Sequence, residues 1–385
     1  MDGLSPKAKQ SERSQWVNWL KAAAVIAVLY LFLVSIGMIG TAFKGMGREM
    51  AETLLQSAAG PVIGLVIGIL ATSIIQSSST TTSLVVGMVA AGTFGSDPKL
   101  AVAAAVPIIM GANIGTSITN TIVSLGHITH KQEFQRAFSA SIVHDFFNFF
   151  AVIILFPLEV YTGIISKSAN LLTNLFIGTG SITFQSPVKA ATKPAVHFME
   201  ELMGLQEIIN PNVILAIVAV LLLFFSLRSL TKLIRSLVIT RLETFFDTHI
   251  FKTDLRAILF GIAITIMVQS SSITTSLVIP LAGAGILTLR QIFPYTLGSN
   301  IGTTFTALLA SLATGSHAPL AVAFAHLLFN IFGIGIIWPI PALRRLPIKF
   351  AKWFSAITVK NRAYPIIYVI VAFFIIPLML IVILR

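Results

Sequence analysis

The chain has 385 residues, 56% of them hydrophobic and only 10% charged, with 26 Lys and Arg against 14 Asp and Glu and a formal net charge of +12. Soluble domains carry about a quarter charged residues, so this composition excludes an ordinary water-soluble globule and indicates a chain that crosses a bilayer several times. Cysteine is absent, which excludes disulfides, thiol nucleophiles and cysteine-based metal sites.

Residues 1–16 form a basic N-terminus, and MDGLSPKAKQSERSQ lacks the small-residue cleavage site of a secretory signal. The apolar stretch 17–41 is therefore expected to stay as a transmembrane helix. GMGREMAETLLQSAAG (45–60) reads as an interfacial amphipathic helix and completes segment 17–59. A first unit, 60–157, opens with an apolar stretch, 60–92, that is broken in its middle by hydroxyl residues. It is too short for two crossings of about 20 residues each, so a re-entrant helical hairpin is expected, a form tolerated only inside protein or beside a water-filled cavity. Gly60, Gly64 and Gly68 follow four-residue spacing, which suits close packing of one hairpin arm on a neighbouring helix. Spans at about 99–127 and 134–157 finish the unit.

The connection 158–208, with Glu200, Glu201 and Glu207, is expected outside the cell. Segment 209–254 contains a span at 209–227 followed by Arg228, Lys232, Arg235, Arg241 and Lys252. A second unit covers 255–343, including an apolar stretch at 317–341, and segment 344–385 adds a basic run and a last span at 364–384. The basic residues collect where the positive-inside rule places cytoplasmic loops, so the charge reports orientation, and no nucleic-acid motif accompanies it.

Three landmarks recur in order. GILATSIIQSSSTTTSLV (68–85) matches GIAITIMVQSSSITTSLV (261–278), PIIMGANIGTSITN (107–120) matches PYTLGSNIGTTFTA (294–307), and HDFFNFF (144–150) matches HLLFNIF (326–332). The offsets are 193, 187 and 182 residues. Charge bias places the start of unit one outside and that of unit two inside, so the units are inverted. The expected fold is an all-α polytopic membrane protein. It has two inverted-topology repeats, each with a re-entrant hairpin and broken transmembrane helices, and about seven full crossings in all. In such folds the solute site lies at the repeat interface near mid-membrane.

The chemistry concentrates in Gln76, Ser77, Ser78 and Ser79 and in Gln269, Ser270, Ser271 and Ser272. Ser and Thr in membrane helices commonly back-bond to carbonyls, but Gln-Ser-Ser-Ser at equivalent points of two units asks for more. A hairpin tip exposes backbone N–H groups at the positive end of its second arm, and serine hydroxyls add neutral donors. Two such tips suit a small oxyanion, while their hydroxyl oxygens suit Na⁺. GANIGTSITN and GSNIGTTFTA read as locally unwound helices whose carbonyls, with Asn113 and Asn300, favour a hard cation. Asp145 lies in mid-span, where an ionisable group is costly and a functional candidate. Ser141, Asp145 and Asn148 share one helical face, and Leu327 stands where unit one has Asp145. His144 and His326 read as packing and hydrogen-bonding residues.

At these residues the chain resembles the type II sodium-dependent phosphate cotransporters, a family with paired QSSS motifs in inverted repeats. The resemblance implies coupled uptake of Na⁺ and inorganic phosphate, with phosphate at the eight QSSS residues. It places Na⁺ near the second QSSS, Gln269 and Ser270 included, and by position at Thr116, Ser299, Thr303 and Thr306. Electrogenic members carry an Asp at the place of Asp145. The absent cysteines and glycosylation sequons and the short 158–208 loop fit a bacterial cytoplasmic membrane.

The solutes are cargo, and no cofactor is expected. Other readings are a carrier of another oxyanion or a small carboxylate, and a phosphate-responsive channel or sensor. No nucleotide loop or nucleophile–base pair suggests an enzyme. A homodimer is left open.

Overall fold

A computed structural model describes residues 6–45, 60–95, 97–116, 118–177, 187–205, 210–242 and 250–384. These are almost wholly helical. The first half holds α1 (Pro6–Gly45), α2 (Pro61–Ile75), α3 (Ser78–Ala91), α4 (Pro98–Gly115), α5 (Ile118–Leu125), α6 (Lys131–Thr162), α7 (Ile164–Ile177), α8 (Pro187–Gly204) and α9 (Pro211–Leu242). The second holds α10 (Asp254–Val268), α11 (Ser271–Ser276), α12 (Val278–Gly283), α13 (Leu289–Thr314), α14 (His317–Ile337), α15 (Pro341–Thr358), α16 (Tyr364–Ile370) and α17 (Ile376–Leu384), the last two joined by a π turn at Val371–Ile375. The amphipathic helix expected at 45–60 lies, but for its end residues, outside the described residues.

Six described stretches are long and apolar enough to cross a membrane: Trp19–Ala42, Pro98–Leu125, Lys131–Thr162, Pro211–Leu230, His317–Ile337 and Tyr364–Leu384. They fall where the hydropathy pattern places spans, and the protein is a multi-pass membrane protein. The expected count of about seven needs α13 as well. Its 26 residues reach about 39 Å at 1.5 Å per residue, but the polar run SNIGTTFTA lowers its hydropathy.

Local sequence sets the helix limits. Asp97 caps α4 by accepting from the Lys99 N–H at 2.8 Å, with Pro98 at the first helical position. Thr288 and Gln291 form a reciprocal capping box at the start of α13. Gly163 in the left-handed region ends α6, a conformation that glycine adopts without steric cost.

Two glycine seams bring backbones into contact. α2 packs on α4 and α10 on α13. A Cβ on Gly68 would sit 2.0 Å from the Ile108 carbonyl oxygen, and one on Gly111 1.9 Å from that of Leu65. The second seam repeats the pattern: Gly261 would meet the Tyr295 oxygen at 2.2 Å and Gly298 the Ile258 oxygen at 2.0 Å. Of the three spaced glycines, Gly68 meets the α4 backbone as expected, a Cβ on Gly64 would make ordinary contact with α4 side chains at 3.4 Å, and one on Gly60 would meet nothing within 4 Å, so the expected close packing holds at Gly68 alone.

One expectation is corrected here. α4 stops at Gly115 and the helix resumes at Ile118, but α13 runs unbroken through GSNIGTTFTA. Gly298 and Gly302 serve the seam with α10, so their presence needs no unwinding. The Ser299 hydroxyl there accepts a hydrogen bond from Thr265 on α10 at 2.9 Å.

Substituting a seam glycine should separate two helices. Gly68→Ala and Gly298→Ala are each expected to destabilise the protein by about 1–3 kcal/mol. Gly335→Ala, at an exposed position of α14 with nothing within 4 Å, should be neutral or stabilising by up to about 1 kcal/mol. Thermal unfolding of the three purified variants measures the contrast.

Candidate functional site

Each QSSS segment makes a sharp corner between two helices, and the two corners have the same geometry. Gln76 (φ 58°, ψ 28°) and Gln269 (φ 56°, ψ 26°) are the only non-glycine residues with positive φ among the described residues. The Gln76 N–H donates to Thr72 O and that of Gln269 to Thr265 O, both at 2.8 Å. The side-chain amides donate to the carbonyls of Ser73 and Ile266. Each side-chain oxygen accepts from a threonine, Thr119 at 3.1 Å and Thr306 at 2.9 Å.

The next residue starts a new helix. Ser77 and Ser270 are extended (φ −154° and −153°) and cap α3 and α11, accepting from the N–H groups of Thr80 at 3.2 Å and Ile273 at 3.4 Å. Helix geometry leaves the N–H groups of the first turn without intrahelical acceptors, so the N–H groups of Ser78, Ser79, Ser271 and Ser272 lie at positive helix ends.

Both corners line one cavity of about 390 Å³: Gln76, Ser77 and Ser79 from the first, Gln269, Ser270 and Ser272 from the second. Ser78 and Ser271 are buried and do not line it. Arg228 of α9 does, as the only charged lining residue, and it has no ion pair among the described residues. Near the corners, hydrogen-bonded contacts cross between the copies. Ser79 lies 3.3 Å from the Thr303 hydroxyl. Asn120 donates to the Thr275 hydroxyl at 2.8 Å, and that hydroxyl lies 2.8 Å from the Ser271 carbonyl and 3.0 Å from the Asn120 oxygen as alternative acceptors.

The oxygen-bearing residues fall into two groups. Beside the second corner, Thr306 bonds Gln269, Thr303 meets Ser79, and Ser299 pairs with Thr265. Deeper in the bundle, Asn300 donates to the Asn148 oxygen at 2.8 Å, Asn148 donates to the Asn113 carbonyl at 2.8 Å, and His144 bonds Asn300. Thr116 and Ser141 back-bond to Ala112 and Phe138 in their own helices. Asp145 is fully buried, and its carboxylate accepts from the Tyr368 hydroxyl of α16 at 3.0 Å. This bond joins α6 to α16.

The expected set omits Thr119, Thr265, Arg228 and Tyr368. Thr119 was findable, because the offset of 187 that pairs Asn113 with Asn300 also pairs Thr119 with Thr306. Arg228 and Tyr368 lie outside the repeated landmarks, and no local pattern marks them.

A family model described as Na⁺/Pi-cotransporter matches residues 31–186 and 222–343. The sodium-dependent phosphate transport protein 2B of Homo sapiens is 34% identical over 446 residues, covering 92% of this chain and 64% of that protein. The sodium-dependent phosphate transport protein 2A of Mus musculus is 33% identical over 445 residues, covering 97% of this chain and 69% of its own length. The chain thus spans about two thirds of these relatives. No solved structure matches it. On the family match, which takes in both corners, and on the extent of these relatives, the chain belongs to the Na⁺/Pi-cotransporter family.

Proposed function

We propose that this chain imports inorganic phosphate coupled to Na⁺, holding the anion between its two QSSS corners. The observation that carries the reading is the single cavity that both corners line. The two units act as inverted repeats, and the corners act as the tips of re-entrant hairpins. The cavity opens alternately to the two sides of a bacterial cytoplasmic membrane as the hairpins move against the remaining helices.

Phosphate is held by neutral donors: hydroxyls of Ser77, Ser79, Ser270 and Ser272, the Gln76 and Gln269 amides, and first-turn N–H groups to which Ser78 and Ser271 contribute. Oriented dipoles of this kind bind an anion without a cage of fixed charges, which would slow its release. Arg228 supplies one exposed positive charge at the cavity and attracts the anion held there. Na⁺ is held by oxygens of Gln269, Ser270, Ser299, Thr303 and Thr306 beside the second corner. A further cation uses Asn113, Thr116, Ser141, Asp145, Asn148 and Asn300, with Asp145 exchanging its Tyr368 partner for the ion.

Radiolabelled phosphate uptake into proteoliposomes is expected to need an inward Na⁺ gradient. Equal uptake in choline would reject coupling, and a labelled carboxylate taken up despite excess phosphate would reject the solute. Ser77→Ala and Ser270→Ala should each lower uptake at least tenfold, since a hydrogen bond to a charged group contributes about 1.5–3 kcal/mol.

Arg228→Gln should raise the phosphate concentration for half-maximal uptake several-fold and flatten its dependence on ionic strength, while Arg228→Lys keeps both near the original. An unchanged salt dependence in Arg228→Gln removes the attraction role. Asp145→Gly should reduce the current carried per phosphate more than it reduces phosphate affinity. Simultaneous current and uptake recording decides this, and unchanged current per phosphate rejects a cation at Asp145.

A further inference from the structure

A second cavity, of about 200 Å³, shares no residue with the one between the corners. Four cations line it, Arg290, Arg344, Arg345 and Lys352, against a single carboxylate, Asp254. Asp254 approaches Arg344 at 3.9 Å, and Arg344 also lies over the Trp338 ring, 5.0 Å from its centre. Arg290, Arg345 and Lys352 have no carboxylate partner among the described residues.

Arg290, Arg345 and Lys352 are exposed and open to a ligand, while Arg344 is partly buried. Arg290 is in the first turn of α13, and Arg344 and Arg345 lie just past the first turn of α15, while neither helix has an acid in its first turn. A helix N-terminus carries positive partial charge and prefers anions, so here cations stand at positive ends. α10 also begins at the cavity, with Asp254 as its first residue. Three helix starts and four cations therefore converge on one recess. On α15, Arg344, Ile348 and Lys352 repeat every fourth residue and so share a face, with Arg345 beside them.

We propose that this cavity binds a phosphoryl anion, held by Arg290, Arg345 and Lys352 with Arg344 completing the ring. Guanidinium groups match phosphoryl oxygens in bidentate geometry. Phosphoryl groups reach such a place as anionic phospholipid headgroups or as free phosphate. The lipid source is favoured by the outer side of α15, where Phe350 is 40% and Trp353 60% exposed. Aromatic residues of this kind seat a helix at the membrane interface, and basic pockets between helices on the cytoplasmic side take anionic headgroups. Occupancy would tie α15 to α10 and α13, the helices that carry the second corner's first arm and the Ser299–Thr306 run. The proposal does not depend on the transport reading.

The test uses the purified full chain and native mass spectrometry of retained lipid, offering phosphatidylglycerol and phosphatidylcholine. The variant Arg290→Gln/Arg345→Gln/Lys352→Gln removes cavity charge. Lys349→Gln/Lys360→Gln/Arg362→Gln removes the same charge from exposed positions nearby that do not line the cavity. The unmodified chain and the second variant should retain phosphatidylglycerol over phosphatidylcholine about tenfold, and the first should lose the preference. Single Arg345→Gln, with a partial loss expected, serves if the triple variant does not fold. A parallel arm measures radiolabelled inorganic phosphate bound in sodium-free detergent. Loss in that arm alone assigns the cavity to free phosphate. If the two triple variants behave alike in both arms, the cavity is not a phosphoryl site and the proposal is overturned.

Discussion

Gln76 and Gln269 hold a left-handed backbone that costs a side-chain-bearing residue about 1–2 kcal/mol relative to the right-handed form. Their own side chains offset that cost. Each amide group donates back to a carbonyl near the end of the helix it terminates, and each amide oxygen takes a threonine hydroxyl from the neighbouring helix. A glutamate could not do both, since it has no donor to give the carbonyl when ionised. A backbone carbonyl at a helix end needs a partner, and here the glutamine side chain supplies one. The glutamine therefore makes the break between two helices tolerable where hydroxyls and N–H groups then gather. The serine positions, the cavity and the contacts between copies all follow from that corner.

The glycine seams place the corners. With backbone against backbone, α2 cannot shift on α4, nor α10 on α13, without a steric clash or an open gap. Each glutamine therefore arrives beside its threonine in a fixed register. Corners and seams are the features that the two sequence copies share most closely. Elsewhere the copies diverge: α4 is interrupted before Ile118 whereas α13 is continuous, and Leu327 replaces Asp145. Only one copy can make the carboxylate contact with Tyr368.

Much of this was legible in the sequence because apolar length is a strong signal. The six spans stand out by hydropathy alone, and the doubled QSSS marks the corners before any coordinates. The close approach at Gly68 was readable from the glycine spacing, whereas Gly60 in the same series meets nothing within 4 Å. Reading GSNIG as unwound failed because Gly-Asn-Ile-Gly has two physical uses, opening a helix or letting another approach, and only the neighbour at Ile258 decides between them. Arg228 looked like one more cytoplasmic charge, since nothing in the order of residues tells which helix flanks a cavity. Asp145 was recognised as costly, but its partner is 223 residues away on a helix outside the repeated landmarks. The family match and the sequence resemblance agree, since both rest on the same repeated segments.

The contact between Asn120 and Thr275 gives the interface between the copies a particular mechanical character. The Asn120 amide donates to the Thr275 hydroxyl at 2.8 Å, and the single hydroxyl proton is shared between the Ser271 carbonyl at 2.8 Å and the Asn120 oxygen at 3.0 Å. Moving α5 away from α11 would release the Asn120 donor, while the Thr275 hydroxyl keeps an acceptor in its own helix, the Ser271 carbonyl at 2.8 Å. The contact is therefore short in reach and unequal in its two sides: parting the helices leaves the amide to find a new partner and the hydroxyl with one already in place.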